Sequence, residues 1–204
     1  MPKLMKDASS DGRRRRSEQS RAKIVDSMLL LVKEGIVEPT AEEVAMRAQI
    51  GLRSVFRHFS DMETLRREMV GQLATQYAKW LTPFVSVGWR NQLDELLVRR
   101  TTAYDEIYPF KRAADAYRHR SPSIAEEYDR VLTIMRMRLR SSLPPSLADD
   151  ETMFEAVDGL LSYEFWQRLR SDQKLSTEAA RNVVEMLLRT MLLAANVPAD
   201  EIAG

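Results

Sequence analysis

Apolar residues recur every three to four positions over most of this chain, and the runs that keep this period are long enough for helices rather than strands. The first runs from about Glu18 to Lys33, with Ile24, Val25, Met28, Leu29 and Val32 on one side and Gly35 as a stop. A short second helix follows Thr40, where Thr40 and Glu43 have the spacing of a capping box and Val44, Ala45 and Ala48 form a small apolar face. Gln49, Ile50 and Gly51 make a turn, and a third helix starts at Leu52. Ser60 and Glu63 read as the capping box of a fourth, which carries Met62, Leu65, Met69, Leu73, Tyr77 and Trp80 at helical spacing. Residues 82–91 break the pattern with Pro and Gly. Beyond them the period predicts a helix from about Gln92 to Tyr108, an interruption at Pro109, a short segment near Lys111 to Arg118, and a helix opened by Ser121 and Pro122 and ending near Ser141. After the loop at 143–147, two last helices cover about Asp150 to Arg170 and Thr177 to Ala195. The expected fold is all-α, with about nine helices.

Stepping about 100° per residue along the third helix puts Leu52, Val55, Phe56 and Phe59 on an inner arc and Arg53, Ser54, Arg57 and His58 on an outer one. Two guanidiniums one turn apart suit base edges in a major groove, and a hydroxyl and an imidazole suit phosphate oxygens. Two short helices joined by a tight turn, the second of them basic, are a common way to place a helix in that groove. Taken alone, a helix with Arg and His outside is equally a solvated surface helix.

Charge distribution favours the first reading. The whole chain has a net charge of +1, but residues 1–60 hold 12 Lys and Arg against 8 Asp and Glu, and the remainder holds 19 against 22. The basic end is the end with the paired short helices, as phosphate binding requires. Residues 1–17 include Arg13 to Arg16 and have no apolar period, which predicts a disordered basic arm that either reaches a groove or backbone or stays a solvated tail. The 204-residue chain has no cysteine and two histidines, so thiolate sites and a histidine metal cluster are excluded, and no metal or cofactor is expected. No apolar run reaches the roughly 18 residues of a membrane span. No membrane association and a cytoplasmic location are expected. The chain lacks a phosphate-cradling glycine loop, a nucleophile elbow and a metal-spaced ligand set, which argues against an enzyme.

The order RAKIVDSMLLLVKEG, capped helix, GLRSVFRHFSDMETL resembles the N-terminal domain of the TetR (tetracycline repressor-like) family of bacterial transcription regulators. The resemblance covers roughly residues 20 to 70 and rests on Phe56, Arg57, His58 and Phe59 followed by Ser60 and Glu63. It implies base-edge contacts near Leu52, Arg53 and Ser54, and phosphate contacts from Thr40, Ser54, Phe56 and His58. Four positions depart from the family's pattern: Phe56 stands where Tyr is usual, Met62 where Lys is common, Gln49 at the frequent Gly of the turn, and Gly51 at the frequent Ser or Thr cap. The domains expected are 18–66, a helix-turn-helix unit, and 67–204, for ligand binding and dimerisation.

The last two helices place Phe154, Val157, Leu161 and Phe165, then Val184, Leu187, Leu188 and Met191, on faces that need cover. A helix apolar nearly all round lies either in the middle of its own domain or under a second subunit. The resemblance implies the second, a homodimer on a palindromic operator in double-stranded DNA. A small-molecule effector would enter among Trp80, Phe84, Trp89, Tyr104, Tyr108, Phe110, Tyr117 and Met135, residue types that line apolar cavities and equally pack ordinary cores. The fourth helix would link effector and DNA. The rival reading is a helical small-molecule or partner-binding protein without DNA binding.

Overall fold

The structure is a computed structural model that describes residues 7–195 and Val197. Among the described residues the regular elements are all helical: α1 (Asp7–Lys33), α2 (Ala41–Arg47), α3 (Leu52–His58), α4 (Met62–Tyr77), α5 (Trp89–Tyr117), α6 (Pro122–Ser142), α7 (Pro145–Ala148), α8 (Glu151–Leu160), α9 (Tyr163–Gln167) and α10 (Thr177–Ala194). A 3₁₀ turn, Ala78–Leu81, follows α4, and a π turn, Arg168–Asp172, follows α9. With α7 a single turn, nine α-helices remain, the all-α architecture the periodicity predicts. No helix among the described residues is long and apolar enough to cross a membrane.

The chain divides into two compact units. One comprises the residues up to Gln76 with Pro109–Glu127, and the other Tyr77–Tyr108 with Tyr128 onward. A cut after residue 66 misses this, because Phe110 and Ala113 of α5 pack on the core made by α1 and α4, and Ser121 and Ser123 bond to Glu63.

In the first unit, Ile24, Val25, Met28 and Val32 of α1 close over Val44 and Ala45 of α2, Val55 and Phe59 at α3, and Leu65 and Met69 of α4. Burial of a Leu or Phe side chain of this kind contributes about 1.5–3 kcal/mol each. The capping box of α2 is complete: the Glu43 N–H donates to Thr40 Oγ1 at 3.2 Å, and the Thr40 N–H donates to Glu43 Oε2 at 2.8 Å. The fourth helix starts differently from the expected Ser60–Glu63 box. Asp61 is its cap, accepting from the Thr64 N–H at 2.7 Å. Glu63 is thereby left to accept from Ser121 Oγ at 2.8 Å and Ser123 Oγ at 2.6 Å. Burial pushes the Glu63 carboxyl up, but the bonds from Ser123 and Ser121 and the charge of Arg66 outweigh it and hold it below its ordinary range.

The disordered arm is also corrected, for residues 7–17: α1 starts at Asp7 and continues without a break into the predicted helix. Ion pairs one turn apart, Arg14 with Glu18 at 3.0 Å and Arg15 with Asp11 at 3.2 Å, support these turns where no core does. Residues 1–6 lie outside the described residues.

In the second unit Leu93, Leu96 and Tyr104 of α5, Leu139 of α6, Phe154 and Val157 of α8, Trp166 of α9, and Val184 and Leu188 of α10 form one core. Helix α5 runs through Pro109, where an interruption was expected. Proline removes one helical hydrogen bond and crowds the carbonyl four residues back. Tyr104 and Ile107 before it and Phe110 and Ala113 after it are each packed into a core, and this burial keeps both flanks helical. The single helix expected from Asp150 to Arg170 is instead broken at Leu161 and restarted by Ser162, whose Oγ accepts from the Phe165 N–H at 3.1 Å. The Leu161 carbonyl, freed by the break, accepts from Tyr104 Oη at 2.8 Å and from buried Arg100 at 3.3 Å. Burial pushes the Tyr104 phenol up to about 12.

Two further polar knots belong to this unit. Asp105 accepts from Trp166 Nε1 at 2.8 Å, Thr177 Oγ1 at 2.8 Å and Arg170 Nε at 3.2 Å, joining α5 to α9 and α10. The connector before α5 is clamped: Arg138 Nη1 donates to Leu81 O at 2.8 Å, and Arg99 donates to Thr82 O at 2.6 Å and Pro83 O at 3.0 Å. The Glu95 carboxylate accepts the Val85 and Ser86 N–H groups at 3.1 and 2.8 Å. Hydrogen bonds from the Ser86 side chain and backbone, more than the Arg99 charge, lower its pKa to about 2.

Candidate nucleic-acid interface

The turn that aims α3 is a left-handed helix cap. Gln49 adopts φ +53°, its N–H donates to Met46 O at 3.1 Å, and the Ile50 N–H reaches Ala45 O at 3.0 Å, closing the end of α2. The end of α1 uses the same device, with Gly35 at φ +97°, its N–H on Val32 O at 2.9 Å and the Ile36 N–H on Leu31 O at 3.0 Å. Arg47 near the end of α2 bonds the Glu34 carboxylate at 2.6 Å, so the two helix ends are tied to each other. Gly51 then caps α3 without a side-chain bond, as its sequence requires.

Seven residues make α3, and only Val55 within it and Phe59 just after it are buried, each 1% exposed. Leu52 and Phe56, read as inner-arc residues, are 37% and 46% exposed. The reason is geometric. Phe56 lies about 100° around the helix from Val55, and Leu52 opens the helix a turn before Val55. The exposed face therefore carries Leu52, Arg53, Phe56 and Arg57, with Ser54 half-buried at its edge. Among the described residues, no ion pair or hydrogen bond engages the guanidinium of Arg53 or Arg57. Thr40 is exposed too, its Oγ1 occupied by the cap.

His58 departs from the outer arc. It is half-buried, and its Nε2 is enclosed without a partner. Burial first, then the charges of Arg57 and Arg21, lower its pKa, so at neutral pH it brings no cation to a phosphate. Arg21, unremarked in the sequence, is the cause of part of this. Its Nη1 donates to the His58 carbonyl at 2.8 Å, its Nη2 meets Glu68 Oε2 at 2.9 Å, and its guanidinium lies 4.2 Å from the Phe59 ring centroid. The signal was available: seven residues before Met28, Arg21 stands on the core side of α1, at the edge where a partly covered charge finds partners on neighbouring helices.

The residues read as an effector pocket fall in both units. Trp80, Phe84, Trp89, Tyr104, Tyr108 and Met135 belong to the second, and Phe110 and Tyr117 to the first. Trp89, Tyr104 and Tyr117 are core residues, and Tyr108 is 37% exposed. The guanidiniums of Arg66 and Arg120 lie 4.6 and 5.0 Å from the Tyr117 ring centroid, and the Tyr117 hydroxyl is buried and unpartnered. Of the residues read as a dimer face, Phe154, Val157, Leu161, Val184 and Leu188 are enclosed in this chain's own core, and Phe165, Leu187 and Met191 are partly buried against it. The apolar side chains that α10 leaves outside are Met186 and Leu193, 56% and 82% exposed. Among the described residues, no group of three or more His, Asp or Glu side chains could hold a metal ion. No protein-family model matches this chain, and a search of curated proteins returns no match.

Proposed function

We propose that this chain is a DNA-binding transcriptional regulator of the TetR type, a repressor that binds a palindromic operator as a homodimer in the cytoplasm and leaves it when a small molecule binds the helical remainder of the chain. The observation that carries this reading is the outer face of α3, where Arg53 and Arg57 stand one turn apart, exposed and unengaged, on a helix fixed by a capped neighbour and a hydrogen-bonded turn. Arg53 forks onto a guanine, Arg57 and Ser54 hold the backbone, and Thr40 at the start of α2 adds a phosphate contact. Leu52 and Phe56 supply apolar contact of the kind thymine methyl groups accept. Twofold symmetry makes the operator an inverted repeat with half-sites one helical turn apart or a multiple of it. The second subunit covers Met186 and Leu193 of α10. Release by an effector needs about 5.5 kcal/mol of differential affinity to move the population from 1:99 to 99:1.

Footprinting on DNA flanking the chain's own gene tests the proposal. An inverted repeat should be protected, with affinity falling steeply as salt rises. Arg53→Ala should cost about 1–3 kcal/mol and relax preference at one base pair per half-site. Unchanged preference in that variant rejects the role given to Arg53. The exposure of Leu52 and Phe56 favours a second reading, an apolar contact with another protein or a small molecule and no affinity for DNA. Absence of any salt-dependent duplex binding by the parent chain would select it.

A further inference from the structure

We infer that the first turns of α1 are a second nucleic-acid contact, a helical arm whose Arg13 and Arg14 lie along the phosphate backbone beside the groove that α3 enters. This rests on the DNA-binding reading above. Three observations place the arm. Among the described residues, the earliest of α1 in the core is Ile24, so the core stops short of the turns that carry the arginines. Their side chains stand in solvent, with Arg14 81% and Arg15 74% exposed. And Arg21, at the arm's base, grips the end of α3 itself through the His58 carbonyl and the Phe59 ring.

Helix geometry then sorts the four arginines. Counting back from Arg21 at 100° per residue, Arg14 falls about 20° from Arg21 and Arg13 about 80° from it, on the side of α1 that meets α3. Arg15 and Arg16 fall about 120° and 140° away, on the opposite side. From Arg21 to Arg13 the helix covers roughly 12 Å, enough to pass two successive phosphates of one strand. The ion pairs that occupy Arg14 and Arg15 are exposed and one turn apart, a class worth a few tenths of a kcal/mol, so Glu18 yields Arg14 readily to a phosphate.

The test uses the full chain and a fluorescent 30-base-pair duplex of mixed sequence, titrated between about 50 and 200 mM salt. Two phosphates per chain, four per homodimer, contribute about 3.6 to the slope of log affinity against log salt. The double variant Arg13→Gln with Arg14→Gln should lose that much slope, so that its affinity falls about a hundredfold less than the parent's over this range. Arg15→Gln with Arg16→Gln should keep most of the parent's slope. Thermal melting monitors the fold, which these exposed positions should leave unchanged. Equal slopes for the parent and the Arg13/Arg14 variant, or equal losses in both double variants, overturn the arm while leaving DNA binding intact. No duplex binding by the parent overturns the underlying reading as well. Titration with phosphatidylserine vesicles supplies the remaining outcome: loss of vesicle binding in the Arg13/Arg14 variant with an unaltered duplex slope assigns the arm to a membrane surface and overturns the inference.

Discussion

Gly35 and Gln49 hold equivalent positions in two successive helix ends, which makes them a matched pair for measuring what left-handed backbone costs this protein. Gly35→Ala would place a Cβ that meets nothing within 4 Å, so steric contact adds nothing. What remains is the backbone's own penalty, about 1–2 kcal/mol for a non-glycine residue in this region. Roughly 0.4–1 kcal/mol is returned because alanine restricts the unfolded chain. A net loss of about 1 kcal/mol is expected, at the upper end because φ +97° lies well past the left-handed centre near +57°. Gln49→Gly reverses both contributions at φ +53°, close to that centre. Both cap hydrogen bonds come from backbone N–H groups, so no side-chain bond is forfeited. The expected change lies between about zero and a gain of 1 kcal/mol. Urea unfolding followed by far-UV circular dichroism reads both, with shifted midpoints and an unchanged slope. A Gly35→Ala protein as stable as its parent would refute the reasoning, as would a Gln49→Gly protein weakened by more than about 0.5 kcal/mol.

Other expectations concern the polar knots and the last helix. Glu63 has a lowered folded pKa, so its bonds to Ser121 and Ser123 add stability that is fully present above the unfolded carboxyl's value of about 4.3 and is lost as pH falls through the lower folded value. Glu63→Gln should therefore be less stable than the parent at pH 7, and the two urea midpoints should converge below about pH 4; a gap that persists in acid would contradict this. Asp105→Ala strands the N–H of Trp166, a residue only 2% exposed, and should cost about 2–3 kcal/mol. Asp105→Asn, which keeps one acceptor oxygen, should cost less, and the same denaturation series compares them. Met186→Glu with Leu193→Glu should convert a dimer to monomers in sedimentation at micromolar concentration without lowering helicity, since neither side chain is in the core; a dimer that survives both changes does not use this face of α10.

What could be read from the sequence followed the strength of local signals. Thr40 and Glu43 have the spacing of a capping box and form one, and the buried face of α1 is the one its period marks, Ile24 through Val32. Errors arose where tertiary packing outweighed a local cue. Pro109 reads as a breaker, but two apolar flanks hold its helix together. Leu161 reads as mid-helix, but Tyr104 and Arg100 claim its carbonyl, and both are distant in sequence. Ser60 and Asp61 compete for the same cap, and adjacent candidates of similar strength are decided by where Glu63 finds donors. At the candidate interface, Arg53 and Arg57 were legible as an exposed pair. His58 was not, because its half-burial and the nearby charge of Arg21, which comes from another helix, are tertiary features. Leu52 and Phe56 came out exposed because a helix of two turns meets its core along a narrower strip than its apolar residues suggest.

The stretch between the 3₁₀ turn and α5 looks from composition like slack cord, the place to splice a tag or expect a protease. Its carbonyls are instead the acceptors of two arginines, and its amides are the donors of one carboxylate. Deuterium should enter the Val85 and Ser86 amides at rates typical of a helix, although neither residue is in one. Lengthening this segment would take its carbonyls from Arg99 and Arg138 together, leaving two half-buried guanidiniums without the acceptors that now hold them.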